Sequence, residues 1–208
     1  MRSIVIVLLW LAAQAAGPPA NLPPPYPREG AVKILDNNQV QVWNIAWLKG
    51  KPTALHRHIY DLAGVYYEPG DRLIISPEGE KRAVSTPAWN ITFQRAGLTH
   101  IEEGTSDAPL RSVFVEMKVA GSYGSDASAS PDAPAFPLEG GVKKLDNDRV
   151  TVWEFANPPG SSRHRHAHDA VVVAIDGRNP RATWIPRGTV HASEDAGHAS
   201  RLYVFELK

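Results

Sequence analysis

The sequence predicts an all-β protein built from two similar halves. Short runs such as VQVWNIAW, AGVYY and VFVEM are rich in Val, Ile, Trp, Tyr and Phe, and no stretch shows a sustained helical period. Turn residues such as Glu68-Pro69-Gly70 separate these runs, and the 208 residues include 18 prolines and 16 glycines. Each half is expected to hold about seven to nine short strands in a sandwich or jelly-roll barrel.

An internal duplication organises the chain. GAVKILDNNQVQVWNIAW (residues 30–47) recurs as GGVKKLDNDRVTVWEFAN (residues 140–157), and QRAGLTHIEE (residues 94–103) is similar to IPRGTVHASE (residues 185–194). HRHIYD (residues 56–61) matches HRHAHD (residues 164–169), and each copy ends on a similar strand, RSVFVEMK (residues 111–118) or RLYVFELK (residues 201–208). Four matched blocks in the same order indicate a duplicated domain.

The repeat divides the chain into five parts. Residues 1–15 contain Arg2, an apolar run and the small-residue site Ala13-Gln14-Ala15, which is typical of a signal peptide; an uncleaved anchor is the alternative. A Pro-rich arm (residues 16–29) precedes the first barrel (residues 30–118), and an Ala/Ser/Pro linker (residues 119–138) precedes the second (residues 139–208). The arm is expected either to be a solvated leader or to pack across a barrel.

Charge and cysteine content exclude several classes of function. Basic and acidic residues each number 22, so no excess charge would attract nucleic acid or an acidic membrane surface. The chain has no cysteine, so it uses no disulfides in the periplasmic or secreted location that the leader predicts. We expect a small-molecule substrate or ligand, no nucleic acid and no membrane after signal cleavage, and we leave a homodimer open.

Three histidines of the first copy are placed to converge. His56 and His58 are two residues apart, so on a strand they share one face while Arg57 points outward. His100 follows the turn at Gly97, where the chain re-enters a sheet. Three imidazoles suit a transition-metal ion that keeps positions open for water or substrate.

The second copy repeats this pattern with His164, His166 and His191, and Arg165 is expected to point outward as Arg57 does. Scattered core or surface histidines would have no reason to match in this way. The alternative is that histidines inside a barrel hydrogen-bond to one another and bind no ion, but buried imidazoles without partners are costly.

These motifs resemble those of the cupin superfamily, in particular of two-domain bicupins. The HxH pairs are similar to the first cupin motif, and IPRGTVH (residues 185–191) is similar to the second; in the first copy Arg95 replaces its proline. The resemblance covers residues 30–118 and 140–208. It implies two tandem double-stranded β-helix (jelly-roll) barrels with one or two divalent transition-metal ions inside, iron first and manganese, zinc, nickel or copper as alternatives.

The glutamate ligand of the family has no counterpart in this chain. The resemblance places it four residues after the second HxH histidine, where this chain has Leu62 and Ala170. Asp61 and Asp169 come one residue early and should face the other side, as turn or strand-edge carboxylates, unless a bulge re-aims them. The resulting site of neutral histidines resembles the three-histidine thiol dioxygenase branch of the cupins.

Two further side chains have the parity of the ligand face. His168 is a candidate fourth metal ligand, and Tyr60 is a candidate catalytic residue for proton transfer. Simple packing is the alternative for both residues.

The two copies differ in length. His58 and His100 are 42 positions apart, whereas His166 and His191 are 25 apart. The first copy has room for the hairpin RLIISPEGEKRAVS (residues 72–85), which the second lacks. The second barrel should therefore be more open, and its exposed edge predicts tight packing against the first domain, the arm or a second subunit.

These features predict an exported metal-binding bicupin that acts as a metal-dependent, dioxygenase-like oxidoreductase on a small molecule. A non-catalytic module that binds a sugar, a sugar acid or a metal is one alternative, and a structural or storage-type cupin is another. The sequence contains no recognisable nucleophile elbow or paired acid–base carboxylates that would favour a different enzyme class.

Overall fold

All the regular structure in the described part of the chain is β-strand. The computed structural model describes residues 21–119, 133–157, 163–192 and 199–208, which form sixteen strands. This confirms the all-β prediction. These residues include no helix with the length and apolar character needed to cross a membrane. The predicted signal peptide, the beginning of the arm and most of the linker lie outside the described residues.

The first copy contributes nine strands to two sheets. They are β1 (Ala31–Asp36), β2 (Val40–Trp47), β3 (His56–Arg57), β4 (Asp61–Glu68), β5 (Gly70–Ile75), β6 (Lys81–Thr86), β7 (Asn90–Gln94), β8 (Thr99–Gly104) and β9 (Leu110–Met117). One sheet has the order β1-β2-β9-β4-β7 and the other the order β3-β8-β5-β6. The neighbouring strands pair antiparallel, as in a jelly-roll barrel.

Seven strands of the second copy repeat this plan in a shorter form. They are β10 (Val142–Asp146), β11 (Val150–Phe155), β12 (Arg163–Arg165), β13 (Ala170–Ile175), β14 (Arg181–Ile185), β15 (Val190–Ala192) and β16 (Arg201–Leu207). Their sheets have the orders β10-β11-β16-β13-β14 and β12-β15. The chain passes from β13 to β14 without strands equivalent to β5 and β6, which confirms that the second barrel is shortened by a hairpin.

The two five-stranded sheets share one hydrophobic layer. The first copy contributes Val40, Val42, Ala63, Val65, Val113, Val115 and Met117, and the second contributes Val150, Val152, Val171, Val173, Tyr203, Phe205 and Leu207. Burial of a side chain of this size stabilises the fold by roughly 1.5–3 kcal/mol relative to its exposure. The two copies therefore pack tightly through their five-stranded sheets. The missing hairpin belongs to the other sheet of the second copy, so the covering of that edge stays a prediction.

Because side chains alternate between the two faces of a strand, the residues between those of the shared layer point to the opposite face of the sheet. In β2, Val40 and Val42 enter the shared layer, so Trp43, Ile45 and Trp47 point into the first barrel and pack in a second cluster. Both faces of these central strands are buried, which explains why their sequences are almost continuously apolar. The same alternation positions the side chains around the histidines.

Asp61 joins the two copies at one edge of this layer. Its Oδ1 accepts the backbone N–H of Ala96 at 2.8 Å, and its Oδ2 accepts Arg149 Nε at 2.8 Å and Arg95 Nη1 at 3.3 Å. Because Arg149 belongs to the second copy, the Asp61–Arg149 contact crosses between the copies. Asp61 is thus the turn-anchoring carboxylate that strand parity predicts.

Asp169 occupies the matching place in the second copy. Its Oδ1 accepts the backbone N–H of Arg187 at 2.9 Å, on the turn that precedes His191. Each copy therefore uses an aspartate to hold the glycine turn before its third histidine. Asp61 and Asp169 lie outside the two groups of histidines that could hold an ion.

The described part of the arm packs on the first barrel. The Pro23 carbonyl accepts the backbone N–H of Arg57 at 3.0 Å. Tyr26 is 4% exposed, and its ring lies 5.0 Å from that of Trp43. Residues 21–29 therefore follow the packed alternative and not the solvated one, while Arg57 is exposed as predicted.

The end of the linker packs on the second barrel in the same way. Pro134 accepts the backbone N–H of Arg165 at 3.1 Å, and Phe136 donates its N–H to the Arg165 carbonyl at 2.9 Å. The prediction of an outward Arg165 is wrong, because this residue is 8% exposed beneath residues 134–136. A sequence match between YPREG (residues 26–30) and FPLEG (residues 136–140) extends the repeat into both segments.

We expect Asp61→Asn to lower the free energy of unfolding at pH 7 by about 1–3 kcal/mol, because it removes the charge that Arg149 faces at a site that is only 14% exposed. Burial raises the pKa of Asp61, but the Ala96 N–H and the Arg149 guanidinium lower it by more than burial raises it. The folded-state pKa is therefore below the ordinary value of 3.8. This stabilisation is therefore present above the unfolded-state pKa and is lost as the pH falls through the folded-state pKa.

Urea unfolding of both proteins between about pH 7 and pH 3 measures this difference. The gap between them should narrow below about pH 4. Asp107→Asn is the matched control, since Asp107 is 93% exposed in its pair with Lys49 and should change stability little. A gap that stays constant with pH, or that equals the control, would contradict this role of Asp61.

Candidate metal centres

Two groups of three imidazoles converge, one in each copy. They are His56, His58 and His100 in the first copy and His164, His166 and His191 in the second. Within each group one ring nitrogen of every residue lies within 4.8 Å of the others. The structure thus brings together six of the seven histidines predicted as ligands. His168 is half-buried and lies outside both groups, so its role as a fourth ligand stays a prediction.

Strand pairing and a glycine turn produce each group. Antiparallel pairing of β3 with β8 places His56 opposite His100, and pairing of β12 with β15 does the same for the second copy. Gly97 has φ +100°, which favours glycine, and its N–H donates to the His58 carbonyl at 2.7 Å. The turn therefore brings the third histidine back beside the first two. Gly188 bonds to the carbonyl of His166 in the same way, at 2.9 Å.

The first group fits a metal ion. His56 Nδ1 lies 2.9 Å from the Ala54 carbonyl, which can only accept, so Nδ1 carries the proton and Nε2 carries the lone pair. That Nε2 atom is buried and has no hydrogen-bond partner among the described residues. His58 Nε2 and His100 Nε2 are 3.2 Å apart, and two nitrogens that bind one ion at 2.0–2.1 Å would lie about 3.0–3.4 Å apart.

Hydrogen bonding among the histidines accounts for only part of this arrangement. It explains the contact between His58 and His100 but leaves the His56 lone pair buried without a partner, which is costly. A transition-metal ion at the point where the three Nε2 atoms converge would satisfy all of them.

Burial keeps the first group neutral. Loss of hydration lowers the pKa of His56, lowers that of His58 to about 3 and lowers that of His100 to about 4. All three rings are therefore uncharged at pH 7, and their lone pairs are available to a cation. Glu102 lies next to these histidines. Burial raises its pKa, but the Arg72 guanidinium and His100 lower it to about 2, so this carboxylate is ionised.

The second group has a carboxylate behind one of its imidazoles. His166 Nδ1 lies 3.1 Å from Glu206 Oε1, and the other oxygen of Glu206 accepts Trp153 Nε1 at 3.0 Å. A carboxylate in this position holds the proton on Nδ1 and directs Nε2 towards the other rings, where it lies 3.2 Å from His164 Nε2. Phe136 packs over His166 with ring centroids 4.3 Å apart.

The matching glutamate of the first copy is arranged differently. Glu116 Oε2 accepts Trp43 Nε1 at 3.0 Å and Gln41 Nε2 at 2.6 Å. Glu116 Oε1 and His58 Nδ1 are both buried and have no hydrogen-bond partner in the described part of the chain. Burial raises the pKa of Glu116 above its ordinary value. The two copies thus share a glutamate position but differ in how it meets the histidine.

Sequence reasoning missed these glutamates, although a signal was present. Glu116 and Glu206 occupy the same place in the matched strands RSVFVEMK and RLYVFELK, and Trp43 and Trp153 match in the opening block. A tryptophan and a carboxylate repeated at the same positions form the same hydrogen bond in both copies.

A cavity of about 450 Å³ opens beside the first histidine group. It is lined by His58, Leu62, Tyr66, Arg72, Ile74, Ser76, Glu80, Lys81, Arg82, Thr92, Gln94, Leu98, Thr99, His100, Glu102 and Phe114. The β5–β6 hairpin, which the second copy lacks, forms one wall. Tyr60 is half-buried and does not line this cavity, so its role in proton transfer stays a prediction.

A solved structure with the same architecture identifies the fold. AerE from Microcystis aeruginosa superimposes with a TM-score of 0.56 at 10% identity, covering 90% of this chain and 98% of that one. A cupin 2 conserved barrel domain protein from Leptotrichia buccalis matches 86% of this chain and 88% of its own, at 13% identity and a TM-score of 0.48. The chain has the cupin fold.

A single cupin domain from Bordetella pertussis matches 45% of this chain and 99% of its own, at 27% identity and a TM-score of 0.40. No protein-family model and no curated protein sequence matches the chain. The described residues of this chain contain two buried histidine groups that could hold metal ions.

We expect Glu206→Gln to weaken metal binding by the second group about 10–100-fold, because an amide orients the His166 ring less firmly and makes its Nε2 less basic. Titration with Co²⁺, followed by its visible absorption, measures this affinity. The background is His56→Ala/His58→Ala, in which only the second group is intact. Glu139→Gln, at an exposed glutamate, is the control. Equal affinities for the two variants would show that Glu206 does not support a metal ligand.

Proposed function

We propose that this cupin is a metal-dependent oxidoreductase of the dioxygenase type, with its reaction centre at the first histidine group. The observation that carries the proposal is the buried Nε2 lone pair of His56, which lies beside two neutral imidazoles and has no hydrogen-bond partner in the part of the chain that the structure describes. His58 and His100 also line the cavity of about 450 Å³, so a small molecule in that cavity would lie against the ion.

An iron ion held by His56, His58 and His100 would supply a shared binding site for dioxygen and the organic substrate. Both oxygen atoms would enter the substrate, whose oxidation provides all four electrons, so no separate reductant is consumed. The chain contributes three neutral ligands, which leave the full charge of the ion available to an anionic substrate. Leu62 and Phe114 provide apolar walls that limit the access of water.

For the second group we propose an ion that stabilises the fold. Support comes from the contacts of His166, which is 0% exposed, bonded to Glu206 and covered on one face by Phe136. A structural ion of this kind would bind the folded state only, and its removal would lower the stability of the second barrel.

We also propose that the protein is exported to the periplasm or secreted. The basic Arg2, the apolar run after it and the Ala13-Gln14-Ala15 site support a cleaved leader. Expression in a bacterial host followed by N-terminal sequencing of the exported fraction should give a chain that begins at Ala16. Retention of Met1 in a membrane fraction would contradict cleavage.

The metal prediction is tested by elemental analysis of protein purified without added metal. The wild type should carry iron, and His56→Ala/His58→Ala should lose the ion of the first group, while His164→Ala/His166→Ala should lose that of the second. His168→Ala tests the predicted fourth ligand: if His168 binds the ion of the second group, its replacement should also lower the metal content. Unchanged metal content in both double variants would contradict a metal role for either group.

The reaction is tested by oxygen uptake against a panel of thiols, phenols and diketones. We expect substrate-dependent uptake by the wild type and by His164→Ala/His166→Ala, and none by His56→Ala/His58→Ala. Zinc or no metal in the purified protein, together with no uptake, would contradict the oxygenase. That result would favour the non-catalytic module that binds a small molecule or a metal.

A further inference from the structure

The cavity beside the first histidine group presents buried hydrogen-bond donors that nothing in the described chain satisfies. Arg72 and Gln94 line it, and Arg72 Nε and Gln94 Nε2 are buried without a hydrogen-bond partner among the described residues. His58 also lines the cavity, and its Nδ1 is a third buried nitrogen without a hydrogen-bond partner in the described chain. Unsatisfied buried donors are costly, so a complementary ligand would bring hydrogen-bond acceptors.

Arg72 is held in place before any ligand arrives. Its Nη1 pairs with Glu102 Oε1 at 3.2 Å, and its guanidinium lies 5.0 Å from the ring centres of both Trp47 and Tyr66. Glu102 is anchored in turn by Trp47 Nε1 at 3.0 Å. A side chain fixed in this way loses little conformational entropy when it binds a ligand.

The charges around the cavity favour an anion. Arg72, Lys81 and Arg82 contribute three cationic groups to its lining, against the carboxylates of Glu80 and Glu102. Glu102 and Arg72 pair with each other, which leaves Lys81 and Arg82 against Glu80, and the histidines are neutral. Lys81 and Arg82 are exposed on the hairpin, where they would attract an anion towards the cavity.

The rest of the lining favours an organic anion with an apolar part. Leu62, Ile74, Leu98 and Phe114 also line the cavity, and its volume of about 450 Å³ lies within the range of small-molecule sites. Inorganic phosphate would satisfy the donors but would leave these apolar side chains without contacts. A carboxylate with an apolar body matches both kinds of surface.

We propose that the cavity binds a small organic carboxylate, with Arg72 and Gln94 donating hydrogen bonds to its oxygens and its body lying against Leu62 and Phe114. Its identification as the substrate of the adjacent centre rests on the proposed function. Binding of the carboxylate does not rest on the proposed function, because none of these four residues belongs to the histidine groups that could hold a metal ion.

Calorimetric titration of the metal-free protein tests the proposal with three probes. Phenylacetate carries a carboxylate on an apolar ring, phenylacetamide keeps the shape without the charge, and inorganic phosphate keeps a charge without the ring. We expect phenylacetate to bind at least about tenfold more tightly than either of the others, since hydrogen bonds to a charged group are the stronger kind. Equal binding of phenylacetate and phenylacetamide, or binding of phosphate alone, would overturn the proposal.

Variants locate the binding site. Gln94→Leu removes an unsatisfied donor at nearly constant volume, and Arg82→Ala removes an exposed charge, so both should fold and weaken phenylacetate binding, the first by about tenfold. Arg72→Lys keeps a positive charge beside Glu102 but removes the guanidinium donors, and should also weaken binding. Arg187→Ala, at an exposed arginine of the second copy, is the control.

Thermal melting of each variant separates loss of binding from loss of fold. Phenylacetate affinity that is unchanged in well-folded Gln94→Leu and Arg72→Lys would overturn the assignment of the site. The two hypotheses fail separately: metal-free protein that binds phenylacetate but never takes up iron or oxygen retains the carboxylate site and loses the oxygenase. Oxygen uptake with a neutral substrate by a protein that does not bind phenylacetate would retain the oxygenase and contradict the carboxylate site.

Discussion

The shared hydrophobic layer between the two five-stranded sheets is the constraint on which the rest of the structure depends. Once Val40, Val42 and Val113 enter this layer, the two-residue period of a strand sends their neighbours into the first barrel. That period places Glu116 and Phe114 on the barrel side of β9. A shift of one residue would expose the apolar set and move every side chain around the histidines to the wrong face.

The same plan produces two different sites because the copies have diverged around it. The first copy keeps the β5–β6 hairpin, and with it a cavity and the paired Arg72 and Glu102. The second has no such hairpin in its described part, and Phe136 and Glu206 pack against its histidines. Hydrogen-bond donors without a described partner in the first copy favour the binding and release of a small molecule. In the second copy, the hydrogen bond from His166 to Glu206 favours an ion that stays bound.

The sequence carries much of the fold and the histidine positions because these depend on local periodicity and on matched blocks. The HxH pairs, the glycine turns and the missing hairpin follow from alignment of the two copies. Parity alone predicts an outward Arg165, because it does not reveal that residues 134–136 cover this side chain. Glu206 and the Arg72–Glu102 pair depend on contacts between strands that are far apart within one copy, which neither periodicity nor alignment of the copies reveals.

Asp61 shows why the polar part of the site is harder to predict than its core. Parity correctly removes it from the ligand face, but its pairing with Arg149 arises only when the two copies dock. The cavity donors of Arg72 and Gln94 come from β5 and β7, which lie in different sheets. Their convergence is a consequence of barrel closure.

The most direct test of the account is X-ray absorption spectroscopy of iron bound to His164→Ala/His166→Ala, in which only the first group is intact. Three buried, neutral imidazoles should give a first shell of nitrogen and oxygen atoms with the outer-shell scattering of three histidine rings. Histidine nitrogens lie at about 2.0–2.1 Å from a zinc ion, and we expect a similar distance for iron. Outer-shell scattering from one ring or none would contradict a metal centre formed by His56, His58 and His100.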